Sequence, residues 1–195
     1  MKVLAINGSS RKGGNTEILL TKVLEPCREA GFDTEIFVLG GKLVHGCIGC
    51  RTCRESGEPV CIFKNDVMND LIQKMIAADA IVIGSPVYFS DVSSEIKALM
   101  DRAGYCTLGR RLLRHKVGAA VAAVRRGGAV HTVDTINHFF MISEMIIPGS
   151  TYWNFGMGGP IGAVNDDAEG LKNMRNLGEN IVWLLQATAG AGHKD

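Results

Sequence analysis

Short apolar runs and longer amphipathic stretches alternate along this chain. Residues 2–7 (KVLAIN) are a nearly continuous apolar run stopped by Gly8, the pattern of a strand buried on both faces. Residues 16–30 then place Ile18, Leu19, Leu20, Val23 and Leu24 at helical spacing, and Gly31 stands where a helix would close. The alternation repeats with a strand over 34–39 (TEIFVL) and a helix over 66–78 whose stripe is Val67, Met68, Leu71, Ile72, Met75 and Ile76. A strand over 79–83 ends at Gly84, and a helix over 93–104 follows with Ser93 at its N-cap and Ile96, Leu99 and Met100 on one face. Next come a small-residue strand over 116–124 (KVGAAVAAV), a helix over 130–142 and a short last strand over 144–147 ended by Pro148. A final helix over 166–187 carries Leu171, Met174, Leu177, Ile181, Val182 and Leu185.

Strands alternating with helices predict a parallel sheet covered on both faces. Five strands in this sequence fit a doubly wound α/β sheet of order 2-1-3-4-5. The 195 residues suit one domain spanning 1–195, with no linker or internal repeat. One insertion, about residues 40–65, breaks the alternation and holds four of the six cysteines.

Charge changes this picture only by exclusion. A formal charge of +1, from 21 basic and 20 acidic residues, is no nucleic-acid footprint. No apolar run approaches the roughly 18 to 20 residues that cross a bilayer, so no membrane partner is expected. The amino terminus lacks the pattern of a secretory signal, and the expected location is the cytoplasm. There, six cysteines point to metal or redox chemistry rather than to a disulfide framework.

Ligands of an open parallel sheet collect beyond the carboxyl ends of its strands. Three loops should meet there: 8–16 (GSSRKGGNT), 84–90 (GSPVYFS) and 125–128 (RRGG). The first suits a phosphate, because Gly8, Gly13 and Gly14 permit close backbone approach, and Ser9, Ser10, Asn15 and Thr16 offer short donors. The following helix start attracts an anion, and Arg11 can add a charge-assisted bond. It is neither a Walker A loop, since Gly14 and Asn15 follow Gly13, nor a dinucleotide fingerprint, since Gly8-Ser9-Ser10 lacks the second glycine. A single terminal phosphate remains. In the second loop Pro86 fixes the backbone while Tyr88 and Phe89 can border a flat ring, although Phe89 reads equally as a core residue. In the third, Arg125 and Arg126 with Gly127 and Gly128 suit the electron-rich edge of a reduced flavin, or a solvated rim. Together the loops suit one FMN.

With these motifs the chain resembles the NADPH-dependent FMN reductase branch of the flavodoxin-like superfamily. The segment Gly84–Phe89 followed by Ser93, Lys97, Asp101 and Arg102 is the specific part, and the likeness covers nearly the whole chain. The resemblance implies that Ser9, Arg11, Asn15 and Thr16 hold the FMN phosphate. It implies that Pro86, Val87, Tyr88 and Phe89 contact the ribityl chain and ring, and that Arg126, Gly127 and Gly128 belong to the third loop. It also implies a homo-oligomer, dimer or tetramer. Within the branch, the run Cys47-x2-Cys50-x2-Cys53-x7-Cys61 is similar to that of iron–sulfur flavoproteins, in which four thiolates bind a [4Fe–4S] cluster that feeds FMN across a subunit interface.

On their own spacing, these four thiols fit a cubane cluster better than zinc, whose ligands usually come as two separated halves, and free thiols remain an alternative. Cys27 and Cys106 read as ordinary apolar residues. His45 reads as a surface residue or a neighbour of a cluster. His115, His131, His138 and His193 show no ligand spacing. Trp153 reads as a flavin cover or a subunit contact. No nucleophile–base constellation is visible, so the expected chemistry is that of the flavin. Three functions follow: an NAD(P)H-dependent reductase of a small acceptor such as a quinone, flavin or nitro compound; a single-electron carrier fed by ferredoxin; or a non-catalytic flavin-binding or thiol-sensing module.

Overall fold

A computed structural model describes residues 1–189; His193 lies outside the described residues. In chain order the elements are β1 (Lys2–Asn7), α1 (Asn15–Glu29), β2 (Asp33–Val38), the single turn α2 (Thr52–Glu55) and α3 (Met68–Ala77). They continue with β3 (Ala80–Pro86), α4 (Ser94–Thr107), β4 (Val117–Val124), α5 (Ala129–Ile142), β5 (Phe155–Met157) and α6 (Ala168–Thr188). The five strands form one parallel sheet of order β2-β1-β3-β4-β5. This is the flavodoxin-like doubly wound arrangement expected from the alternation.

Strand geometry explains the two cores. Successive side chains point to opposite faces, so Val3 and Ala5 of β1 pack with α1 and α6, while Leu4 and Ile6 pack with α3, α4 and α5. In β4 the small residues leave room for a large neighbour: a methyl group on Gly118 would lie 2.7 Å from Cγ of Phe140. Gly31 lies in the left-handed region (φ +76°) just past α1, as expected of a helix end, and the Asp167 carboxylate accepts from the Gly170 N–H at the start of α6. Ser93 occupies the N-cap of α4 without a side-chain cap bond.

The last strand is where the expectation fails. Residues 144–147 do not form a ladder strand; Ile146 makes one parallel bridge with Val117, and β5 is Phe155–Met157. The Ile146 segment lies against the start of β4, where the Ile146 N–H donates to Lys116 O and the Gly118 N–H to Ile146 O. Pro148 lacks the N–H that a continuing strand would donate. The chain then leaves the edge and returns at Asn154, whose carbonyl accepts from the Ala122 N–H. The sheet edge is therefore filled in two pieces, and only the second reaches the carboxyl ends of the strands.

Helices α1 and α6 approach each other most closely at Gly178, where any Cβ would run into the Val23 carbonyl and lie 3.0 Å from Cδ of Pro26. Gly178→Ala is expected to lower stability by about 1–3 kcal/mol, the usual cost of overpacking. Gly109→Ala, where an added methyl meets nothing within 4 Å, should leave the denaturant midpoint unchanged.

Candidate functional site

The loops that leave β1, β3, β4 and β5 meet at one edge of the sheet. The Gly8 N–H donates to Gly84 O at 2.8 Å, which joins the roots of the first and second loops. Gly40, just past β2, lies so close to Ser9 and Ser10 that a Cβ would overlap their backbone. Gly128 has φ +91°, and its missing side chain lets the third loop touch the second, since a Cβ would stand 2.6 Å from Cα of Ser90. Close backbone approach at these glycines is what brings the loops to one place.

Ser9 is buried, and its hydroxyl accepts from the Arg11 N–H at 3.2 Å. Arg11 is exposed, and its Nη1 reaches Gly159 O at 3.5 Å. The Asn15 side chain is fully committed: its Nδ2 donates to Gly158 O and Pro160 O, and its Oδ1 accepts from the Gly162 and Val164 N–H groups. Thr16 is buried in the first turn of α1. That helix begins at Gly14 with no side-chain cap on its first-turn N–H groups, and the Glu17 carboxylate of the same turn accepts from the Gly13 N–H at 3.0 Å. Helix α5 likewise begins at Gly128 without a side-chain cap.

Pro86 closes β3, and the Val87 N–H donates to Ala123 O at 3.0 Å. The turn tip is held by reciprocal bonds between Tyr88 and Asp91, with Phe89 and Ser90 at φ +49° and +66°. Tyr88 is half exposed and Phe89 is fully exposed, so Phe89 is no core residue. Arg126 and Gly127 are exposed, and Gly128 is partly buried. A fourth loop, Gly158-Gly159-Pro160-Ile161-Gly162, completes this edge; Asn15 and Arg11 hold it on one side and Arg125 lies 3.5 Å from the position of a Cβ on Gly159. Its glycine-rich composition was a signal, but placing the last strand at 144–147 left it unattached to the sheet edge.

The cysteine insertion forms a second region. Cys47, Cys50, Cys53 and Cys61 all line one pocket, together with Cys106 of α4, Arg102 and Tyr105. Left-handed residues at Gly49 (φ +67°) and Arg51 (φ +64°) curl the first three cysteines around it. The Gly49 N–H donates to Cys47 Sγ, and Thr52 Oγ1 donates to Cys50 Sγ, each at 3.4 Å. The Thr52 hydroxyl and N–H together hold the Cys50 thiol below its ordinary pKa. Among the described residues no three histidines, cysteines or carboxylates are gathered tightly enough for a single metal ion.

Cys61 is buried, and the insertion around it is held from two helices. The Cys61 N–H donates to Asn69 Oδ1 at 2.8 Å, and Asn69 Nδ2 donates to Cys61 O and Phe63 O. From α4, Arg102 donates to both carboxylate oxygens of Asp66 and to the carbonyls of His45 and Phe63. His45 is a surface residue, as one of its two readings had it, and it stacks on Phe63 with ring centroids 4.1 Å apart. Arg54 of α2 sits 4.9 Å over the Tyr105 ring. Burial and the neighbouring Cys53 and Cys61 push the Cys106 thiol up to about 12. Asn69 and Asp66 were not singled out from the sequence, and Cys106 was read as an ordinary apolar residue, because nothing in local spacing links them to the cysteine run.

The profile of the NADPH-dependent FMN reductase family matches residues 1–159. The chain belongs to this family. Among its relatives, iron–sulfur flavoprotein MJ1083 of Methanocaldococcus jannaschii is 42% identical over 193 residues, covering 95% of this chain and 98% of the relative. The iron–sulfur flavoprotein of Methanosarcina thermophila is 32% identical over 188 residues, covering 95% and 96%. Solved structures share the fold at lower identity. RosB, solved with 8-demethyl-8-formylriboflavin-5'-phosphate, superposes with TM-score 0.76 at 18% identity over 97% of this chain and 80% of RosB. A flavodoxin, the WrbA-like protein of Agrobacterium tumefaciens, does so with TM-score 0.65 at 15% identity over 95% and 97%. Within the FMN reductase family, this chain is therefore similar over its length to proteins named for an iron–sulfur centre.

The buried Arg102–Asp66 pair fixes the insertion, and its loss should be felt there first. The Arg102 side chain is wholly buried and that of Asp66 is 7% exposed. Asp66→Asn leaves an uncompensated buried cation and is expected to cost about 3–5 kcal/mol. Burial opposes ionisation of Asp66, but bonds from Arg102 and from the Met68 and His45 N–H groups outweigh it and hold its pKa below the ordinary value. The stabilisation is thus complete above the ordinary carboxylate pKa and is lost as pH falls through the depressed native one. Urea midpoints of wild type and Asp66→Asn should differ at neutral pH and converge in acid.

Proposed function

We propose that this chain is an FMN-dependent oxidoreductase of the electron-transferring kind, whose four cysteines, Cys47, Cys50, Cys53 and Cys61, hold a [4Fe–4S] cluster. One observation carries the reading: all four thiols of the run line the same pocket. The spacing of three cysteines in close succession with one return suits a cubane better than zinc, whose ligands usually come as two separated halves. The likeness to iron–sulfur flavoproteins over the full chain supports it independently.

The sheet edge fits FMN on its own chemistry. The uncapped start of α1, with Arg11 alongside, offers unpaired N–H donors and positive charge to a terminal phosphate. Ser9 and Thr16 belong to this end, and Asn15 serves it by tying down the 158–162 loop. Pro86 and Val87 set the turn from which Tyr88 and Phe89 can border the ring, and the third loop, with Arg126, Gly127 and Gly128, meets that turn at Ser90. When bound, FMN supplies a carrier for two electrons and the cluster a carrier for one. The protein's part is to orient both and to exclude water from the buried Cys61 side of the cysteine pocket. A one-electron donor of the ferredoxin class and a small organic acceptor suit this arrangement. The chain is read as one domain over 1–195, working in the cytoplasm as a homo-oligomer; no described helix is long and apolar enough to cross a membrane.

A second reading has its own support. Tyr88 and Phe89 stand exposed at the loop edge, which leaves room for NAD(P)H to deliver a hydride directly to the flavin. Stopped-flow mixing separates the two: reduced ferredoxin, and not NADPH or NADH, should reduce the bound flavin. The reverse result overturns the electron-carrier reading in favour of the nucleotide-dependent one.

Anaerobically purified protein is expected to show broad iron–sulfur absorption beneath the flavin bands. Single Cys→Ser changes at positions 47, 50, 53 and 61 should abolish that absorption while FMN remains bound, whereas Cys106→Ser should keep it. Arg11→Ala should weaken FMN binding roughly 10- to 100-fold, as expected for a lost charge-assisted bond, measured by quenching of flavin fluorescence.

A further inference from the structure

Arg102 is the largest fully buried side chain of the described residues. Its guanidinium has five N–H donors. The two Nη groups are occupied by Asp66, His45 O and Phe63 O, while Nε is buried with no partner. A buried donor without an acceptor calls for a physical account. The Asp66 clamp by itself would be complete without the Nε–H.

The surroundings narrow the choice of acceptor. Arg102 lines the cysteine pocket, where the other side chains are cysteines, arginine, isoleucines, Phe63 and Tyr105. Apart from the Tyr105 hydroxyl, the side-chain acceptors there are sulfur atoms. Arg102 Nη2 already bonds Phe63 O, two residues along the chain from Cys61. Of the two buried cysteines there, Cys61 and Cys106, Cys61 has its backbone held on both sides by Asn69, which fixes its place in the pocket wall.

We infer that Arg102 is a positioning residue of the thiolate site: its Nε–H donates to Cys61 Sγ when that sulfur is a cluster ligand and raises the reduction potential of the cluster. This rests on the cluster reading above. Adding an electron to the cluster adds negative charge, and a fixed cation with an N–H···S bond favours that reduced form. The same guanidinium ties the insertion to α4, so one side chain sets both where Cys61 stands and how readily its site accepts an electron.

The test uses the anaerobically purified holoprotein, with iron and FMN content measured first and the cluster titrated with dithionite under EPR detection. Arg102→Met removes both the cation and the Nε donor and should shift the midpoint potential to more negative values. Asp66→Asn breaks the same clamp but removes an anion, and should shift it to more positive values. Shifts of one sign in both variants would mean that loosening of the insertion is responsible, and would overturn the assignment. Wild-type protein grown with arginine labelled with nitrogen-15 at Nε needs no substitution, and its reduced cluster should show a hyperfine coupling to that nucleus in pulsed EPR. A cluster present without the coupling overturns the role of Arg102 alone. Protein that takes up no iron overturns the cluster reading and this inference with it.

Discussion

Burial of the central strands on both faces is the constraint from which the rest of this structure follows. Once β1, β3 and β4 are covered by α1 and α6 on one side and by α3, α4 and α5 on the other, neither face can hold polar chemistry. Polar groups and glycines are left to the ends of the strands. At the carboxyl end, helices α1 and α5 start with bare N–H groups, and the chain comes close enough to itself for the loops to touch. A site for an anionic, flat ligand at that edge is a consequence of the layering.

The cysteine insertion obeys a different rule. It has little core of its own, and Leu43, Ile48 and Ile62 remain exposed. Its order comes from polar bonds to α3 and α4: Asn69 on Cys61 and Phe63, and Arg102 on Asp66, His45 and Phe63. A buried ion pair is a costly way to join two parts of a protein, because both charges must leave water. Here bidentate geometry and two further carbonyl acceptors offset that cost, and they bring a permanent positive charge to the wall of a pocket rich in sulfur. The two regions share α4, whose start sits behind the second loop, where the Ser93 N–H meets Ser85 Oγ, and whose later turns carry Arg102, Tyr105 and Cys106.

How legible each part was depended on whether its signal was local. Apolar runs such as KVLAIN and the stripe Val67–Ile76 announce their elements because burial requires a period that a short window can display. Strand β5 gave no such signal. Phe155–Met157 is three residues long and half exposed at a sheet edge, while the more apolar stretch around Ile146 looks the better strand. Pairing with the far end of β4 decided between them. The cysteine run was visible as spacing, and Cys106, 45 residues after Cys61, was read as ordinary apolar filling until α4 carried it into the same pocket.

The sequence by itself determined the layered α/β class, the three glycine-bearing loops and the thiol run, since each is written in residues within a turn or two of one another. Tertiary structure alone decided that Asn15 spends its side chain on a fourth loop, that Phe89 faces solvent and that Arg102 shares a pocket with five cysteines. Those outcomes depend on which distant segments pack together, and a side chain's partners are set by that packing rather than by its neighbours along the chain.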